Sequence, residues 1–314
     1  MTAAADKSFS VLVKQKAYDL GFDLCGIAPS RPLKERENVI RGWCARGMNS
    51  EMSYLEKNIE KRINPEFLVP GAKSVIVTGL NYYTDNEQEK EGVPIISRYA
   101  YGINYHDVII KKLDLILDYL RSIEPEMEGR SFVDSAPLLE KAWAVEAGLG
   151  WQGRHSIVIN NKIGSFFFIG TIVLNKELDY DTPFTGNRCG SCRLCIDLCP
   201  TGAINEDGTI DARRCIANLT IENRGPIPED IIPKIGRRVY GCDRCQEVCP
   251  WNKNAKPHKT PEFELAEELR QMTIEEWFGL TRERFKRLFS RSPVERRKYE
   301  PFMRNVESVT KSRS

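Results

Sequence analysis

The chain lacks any long hydrophobic run. Nothing approaches the roughly 18 consecutive apolar residues that suit a membrane-spanning helix, so none is expected. Met1 to Ser10 has no basic-then-apolar pattern and no twin arginine. No export signal is therefore expected, and the chain reads as cytoplasmic. Low-complexity tracts are missing, as are internal repeats apart from one duplicated cysteine run. Net charge is almost lacking too: 46 Lys+Arg stand against 44 Asp+Glu. That balance conceals an asymmetry. Residues 281–314 hold 11 basic and 4 acidic side chains, net +7, and the remainder holds 35 and 40, net −5. A basic end on a mildly acidic body suits a polyanion partner, or a solvated helical tail.

Cysteine is what the chain does have. Ten in a secreted chain would suggest disulfides, whereas in a reduced compartment they suggest metal or catalysis. Eight form one constellation: Cys189-x2-Cys192-x2-Cys195-x3-Cys199-Pro200, then Cys242-x2-Cys245-x3-Cys249-Pro250, with Cys215 alone between. The first run has the bacterial ferredoxin spacing, in which the fourth cysteine crosses to the other cluster. Three cysteines wrap one cube, and the next, followed by proline, turns toward a second. Two 4Fe–4S clusters are expected, one on Cys189, Cys192, Cys195 and Cys249, the other on Cys199, Cys215, Cys242 and Cys245. Structural zinc also accepts four thiolates and is the alternative. Cys25 and Cys44 sit in apolar-periodic stretches and read as buried and inert.

The first 175 residues alternate helix and strand patterns, which argues for an α/β or α+β sandwich. Helices are expected over Ser8 to Leu20, Pro32 to Arg46, Tyr105 to Ile123 and from Pro137. Ser74 to Leu80 is a continuous apolar run of strand length, buried on both faces. Ser156 to Asn160 and Ser165 to Leu174 read as two strands joined by the Asn160 to Gly164 turn. Residues 181–257 are rich in Cys, Gly, Pro and charge, and would be held by their metals. Short helices follow: Phe263 to Gln271, Thr273 to Phe278, Arg282 to Phe289 and Pro293 to Val306. Thr273-x-x-Glu276 has the capping-box pattern. The expected domains are 1–175, 176–259 and 260–314.

Asp134 follows a strand and precedes a helix start, so it either caps the helix or faces a crevice as an acid. Desolvation there would raise its pKa and let it donate a proton. His106 and His155 read as structural histidines and His258 as solvated. Gly153 and Gly164 would permit close approach of a large planar ligand.

Several further stretches carry a combined signal: Glu51-Met52-Ser53-Tyr54-Leu55, Pro70 to Ile76, Ile96 to Gly102, Tyr105-His106, Val133-Asp134-Ser135-Ala136-Pro137, Gly148 to His155, Leu219 to Glu222, and Tyr240 to Gln246 with Val248 to Asn252. In this order and spacing the chain resembles, over nearly its whole length, the epoxyqueuosine reductases, cobalamin-dependent iron–sulfur enzymes of queuosine-tRNA synthesis. The resemblance implies an α+β fold: an N-terminal, nitroreductase-like α/β sandwich that binds cobalamin, a ferredoxin-like two-cluster domain, and a short helical tail. It implies a cobalamin resting as cob(II)alamin, with Asp134 as proton donor. The implied cobalamin contacts are Lys57, Arg98, Asp134, Ser156, Ile157, Val158 and Ser165, with backbone at Gly241 and Cys242. Arg98 also fits on chemistry, since a guanidinium suits amide or phosphate oxygens of the corrin rim. Lys286, Arg287, Arg296, Arg297, Lys298 and Arg304 would contact phosphates of a tRNA carrying epoxyqueuosine. A ferredoxin- or flavodoxin-type donor would supply electrons to a monomer. Two rival readings stay open. Reductive dehalogenases share the cofactors but usually carry a twin-arginine leader and a tyrosine donor. A ferredoxin-type carrier has no need of the large N-terminal domain.

Overall fold

The computed structural model describes residues 3–311. The first half of the chain lays down helix α1 (Ala3–Asp19), strand β1 (Leu24–Pro29), helices α2 (Lys34–Ala45) and α3 (Ile59–Ile63), and strands β2 (Ser74–Asn81) and β3 (Ile95–Ile96). Helix α4 (Tyr105–Ile123), strand β4 (Gly129–Phe132), helix α5 (Glu140–Glu146) and strands β5 (Trp151–Gln152), β6 (Val158–Ile159) and β7 (Phe167–Leu174) follow. Four strands pair antiparallel in the order β1–β2–β7–β4. Alternate residues of the two central strands feed two cores, as the two-residue period of a strand requires. Ile76, Leu80, Phe168, Ile172 and Leu174 pack with α1 and α4, whereas Val75, Val77, Phe167 and Val173 pack with α5. Every residue of β2 is therefore buried, although the sheet is antiparallel. Helix α4 buries Val108, Ile109, Leu113, Ile116, Leu117 and Leu120 at helical spacing. Each such side chain contributes roughly 1.5–3 kcal/mol.

The cysteine-rich segment adds α6 (Leu194–Asp197), α7 (Ile216–Ile221), α8 (Ile232–Ile235), β8 (Arg238–Tyr240) and α9 (Arg244–Glu247). These helices are too short to be stable alone, and the segment's own apolar cluster is small: Ile216, Leu219, Ile227, Ile231 and Ile235. The last stretch forms α10 (Glu267–Gln271), α11 (Ile274–Phe278), α12 (Arg282–Phe289), a 3-10 turn over Pro293–Arg297 and α13 (Tyr299–Lys311). Its aromatic side chains Trp277, Phe285, Phe289 and Phe302 share a core with Ile96, Tyr101, Val239 and Tyr240, where β3 pairs parallel with β8. Among the described residues no helix is long and apolar enough to cross a membrane.

Some expectations give way. The residues expected as one hairpin part company: β6 pairs with β5, and only the Asn160–Gly164 bridge marks the expected turn. Gly164 does not make room for a ligand. It sits at φ +76°, and the space its side chain would fill is taken by Asn252 of the cysteine-rich segment. The space at Gly153 is likewise filled by Ile159 and His155. The expected Pro293 helix divides at Lys298, whose φ of +63° ends the 3-10 turn before α13 begins.

Candidate active site

Between β4 and α5 the chain turns through Val133-Asp134-Ser135-Ala136-Pro137. Asp134 has φ +48°, a left-handed conformation uncommon for a residue with a side chain. Its backbone N–H donates to Glu140 Oε1 at 2.8 Å. Its carboxylate accepts a hydrogen bond from Tyr105 Oη at 2.8 Å. His106 Nε2 lies 3.9 Å from the same oxygen, an ion-pair separation too long for a hydrogen bond. Tyr105 and His106 open α4, whose first turn is capped by the Asn104 side chain. The Tyr105 ring stacks flat on Phe168 of β7, with centroids 4.2 Å apart. The sheet thus fixes the phenol, and the phenol fixes the carboxylate.

The charges in this crevice are unequal. Asp134 is open to solvent but surrounded by protein. Burial pushes its carboxyl up, but contacts with His106 and Tyr105 and the Lys141 charge outweigh this and leave it below the ordinary range. The raised value expected for a desolvated Asp134 is thus corrected. The raised carboxyl is Glu140, pushed up to about 8 by burial and then by the Asp134 charge. Burial and Asp134 also push the Tyr105 phenol far up, so it keeps its proton. Two carboxyls driven apart in one crevice suit acid–base work. The sequence reading passed over Glu140, because an acid at the start of a short helix is routine.

A second turn faces the same region. Ser156 has φ +62°. His155, 3% exposed, accepts the Ile157 N–H on Nδ1 at 3.2 Å. Burial holds it down to about 4, so it is neutral at pH 7 with its proton on Nε2. That buried Nε2 has no partner among the described residues. The Lys141 charge is felt by Asp134, Glu140, His155 and Cys215 alike. Tyr54 and Arg62 also feel the Asp134 charge, and the Tyr54 hydroxyl meets Arg296.

All ten cysteines are free thiols. The neighbours of Cys249 include Cys189, Cys195 and Cys192. Cys215 has Cys199 as a neighbour, Cys242 has Cys215, and Cys245 has both Cys242 and Cys215. Two sets of four therefore gather side by side. Burial raises the Cys195, Cys215, Cys242, Cys245 and Cys249 thiols, Cys249 to about 11 and Cys242 to about 12, so these five stay protonated unless a metal takes the proton's place. Cys25, outside both sets, is pushed up to about 12 by burial. Among the described residues no three His, Cys, Asp or Glu side chains converge to hold a single metal ion.

The remaining candidates are scattered. Arg98 bridges the front half to the cysteine segment: it pairs with Glu87, Asp243 and Glu247, donates to Thr84 O at 3.2 Å and lies against Tyr83 and Phe166. Ser165 is fully buried, and its hydroxyl accepts from Gln246 and Asn252. Gly241, at φ +75°, has its N–H on Thr220 Oγ1 at 3.0 Å, and any side chain there would meet Ser97. Val158 is buried, whereas Lys57 is exposed. In the tail, Lys286, Arg287, Arg296 and Lys298 are exposed, with Arg287 on Glu268 and Arg296 on Glu222. Arg297 and Arg304 are committed inward. Arg297 donates to the Ile221 and Asn223 carbonyls, and Arg304 to those of Leu219, Asn223 and Gly225.

Comparison with known proteins fits this geometry. Residues 188–252 match the family model of the 4Fe-4S double cluster binding domain, and residues 62–135 that of epoxyqueuosine reductase QueG, DUF1730. An epoxyqueuosine reductase of Cellulophaga algicola is 43% identical over 298 residues, 95% of this chain and 97% of the relative. The chain belongs to the epoxyqueuosine reductase family. By that membership it is an enzyme, an oxidoreductase. Among solved structures, an epoxyqueuosine reductase with an epoxyqueuosine-modified tRNA-Tyr stem loop superposes with a TM-score of 0.90 at 30% identity, covering 97% of this chain and 81% of that one. A Bacillus subtilis epoxyqueuosine reductase, with its Asp134 catalytic loop swung out of the active site, gives 0.89 at 30% identity, covering 97% and 82%.

Proposed function

We propose that this chain reduces epoxyqueuosine to queuosine at the wobble position of a tRNA, with Asp134 giving a proton to the epoxide oxygen. The observation that carries the reading is the crevice at the end of β4: an aspartate on a left-handed turn, its carboxylate held by Tyr105 and its backbone by Glu140. The Bacillus subtilis relative, with its named catalytic loop, supports giving this loop the same task.

The donor sets suit the cofactors. Eight thiolates in two adjoining groups of four suit two 4Fe–4S cubes, whose corners lie farther apart than the ligands of one zinc ion. The unpaired Nε2–H of His155, beside Ser156, Ile157 and Val158, suits the amide-rimmed ring of a cobalamin, with Lys57 and the Gly241–Cys242 backbone completing the contacts. Arg98 and Ser165 act from behind, bracing Asp243 and Gln246 beside the ligands Cys242 and Cys245. When bound, these groups supply single low-potential electrons, from a ferredoxin- or flavodoxin-type donor, and a nucleophilic cobalt.

The side chains do the rest. Reduction takes up two electrons and two protons, and the oxygen leaves as water. At rest Asp134 is ionised at neutral pH. An extruded base filling the crevice strips solvent from the carboxylate, and desolvation raises a carboxyl's pKa. Substrate binding thus loads the proton that the reaction needs. Of the tail's basic residues, Lys286, Arg287, Arg296 and Lys298 are exposed and suited to the tRNA phosphates. The test is Asp134→Asn or Asp134→Ala in protein purified without oxygen, with iron, sulfide and cobalamin quantified. Turnover of epoxyqueuosine-tRNA disappears while cofactor absorbance is unchanged. Full turnover ends the acid assignment, and zinc in place of iron, or failure to take up cobalamin, ends the whole reading.

A further inference from the structure

Glu140 is an odd residue to find in this crevice. It is half-buried at the first position of α5, yet no cation pairs with it among the contacts of the described residues. Its Oε1 instead accepts the backbone N–H of Asp134, six residues earlier, at 2.8 Å. That bond closes the turn in which Asp134 takes its left-handed φ of +48°. A left-handed backbone at a non-glycine residue costs about 1–2 kcal/mol and persists only where its surroundings impose it. Here two contacts impose it: Glu140 on the backbone and Tyr105 on the side chain. The other charged groups facing Glu140 are Asp134 itself and Lys141.

We propose that Glu140 is a positioning residue for the proton donor, its carboxyl holding the Asp134 backbone in the left-handed turn that presents the acid to the substrate. The proposal rests on the reading of Asp134 as the acid. Glu140 acts through one hydrogen bond to the donor's main chain. A neutral acceptor serves as well as a charged one, so an amide oxygen at the same place retains the function. A shorter side chain does not, whatever its charge.

The experiment uses holoenzyme reconstituted with iron, sulfide and cobalamin, and a stem-loop RNA carrying epoxyqueuosine. Glu140→Gln keeps kcat within about fivefold, whereas Glu140→Ala and Glu140→Asp lower it by roughly 10–100-fold, the scale set by ångström misplacement of a reacting group. KM for the stem loop stays within about twofold in all three. Hydrogen exchange in the 131–137 peptide quickens in the Ala and Asp variants and not in Gln. A merely structural role would instead lower thermal stability and KM performance together, without rescue by Gln. Full kcat in Glu140→Asp, or equal losses in Gln and Asp, overturns the proposal, and Asp serves if Ala fails to fold. Asp134→Asn is the control. An inactive Asp134→Asn beside a fully active Glu140→Asp removes only the positioning role, whereas an active Asp134→Asn removes the acid beneath it.

Discussion

Asn305 ties the tail to the second cysteine set, and its removal tests whether the tail serves the clusters. The residue lies on α13 with no exposed surface. Its Nδ2 donates to Thr220 O of α7 at 2.9 Å and to Val239 O of β8 at 2.8 Å. Its Oδ1 accepts from Arg304 Nη2 at 2.7 Å. Cys215 precedes α7 as its N-cap, and Cys242 follows β8 by two residues. Asn305→Ala and Asn305→Leu both delete these bonds and leave two buried carbonyls without their donors. An orphaned buried group costs about 1–3 kcal/mol, so two orphaned carbonyls cost roughly 2–6 kcal/mol. That is a large share of a stability of about 5–15 kcal/mol. In a chain of this size the thermal midpoint falls by about 5 °C or more. The assay is thermal unfolding of anaerobically purified protein, followed by tryptophan fluorescence from the buried Trp277 in the same core, with iron measured per chain. Iron falls toward half, because Cys215 and Cys242 lose their frame while Cys189, Cys192, Cys195 and Cys249 do not. Leu fills the volume that Ala empties, so comparing the two separates hydrogen bonding from a cavity. An Asn305→Leu protein with wild-type midpoint and full iron refutes the pinning argument.

Other outcomes follow from the same contacts. Glu140 carries a folded pKa raised from 4.5 to about 8. Its contribution to stability is therefore complete below about 4.5 and is lost as pH rises through about 8. At about 1.4 kcal/mol per unit, several kcal/mol depend on it. Glu140→Gln flattens the decline in thermal midpoint between pH 5 and pH 8.5, and an unchanged decline contradicts the assignment. In the tail, Lys286→Ala and Arg287→Ala weaken stem-loop binding and reduce its salt slope by about one each. Arg297→Ala lowers the melting temperature instead, because the charge is buried against the Ile221 and Asn223 carbonyls. Equal salt slopes in all three variants would show that exposure does not sort these cations.

Local signals were legible and long-range ones were not. Periodicity marks α4 as Tyr105–Ile123 and α12 as Arg282–Phe289 without error at either end, and the Thr273–Glu276 capping box is present. In each case a run of neighbours carries the information, either as an apolar stripe or as a side chain reaching its own helix start. The cysteine spacing is local in the same sense within each run, whereas the pairing of Cys249 with the first run and of Cys199 with the second is not. Strand partners are not local. Nothing in residues 156–174 says that β6 prefers β5 to β7, or that Asn252, far along the chain, occupies the space at Gly164. Desolvation is not local either. Asp134 and Glu140 are two acids six residues apart, and only the surrounding α4 and β7 decide which of them is ionised.

The basic tail makes the point most sharply. A helix rich in arginine reads as an outward face for a polyanion, because a charge in the interior is costly unless it is paired and hydrogen-bonded. Here the loop after α7 turns its carbonyls inward, and a guanidinium, with five donors in a fixed fork, can satisfy several of them at once. Arg297 and Arg304 do that for residues 219–225, behind Cys215. Arg287 and Arg296 remain outside, on the carboxylates of Glu268 and Glu222, which a phosphate can replace at little cost because surface ion pairs are weak. One stretch of similar residues therefore divides into a buried, structural half and an exposed half. What divides them is the donor demand of a loop some 75 residues earlier in the chain, read as the sequence separation of the Arg296–Glu222 and Arg297–Asn223 contacts. Cation count alone therefore overstates the charge that the tail can offer a polyanion, and the exposed subset is the better measure of it.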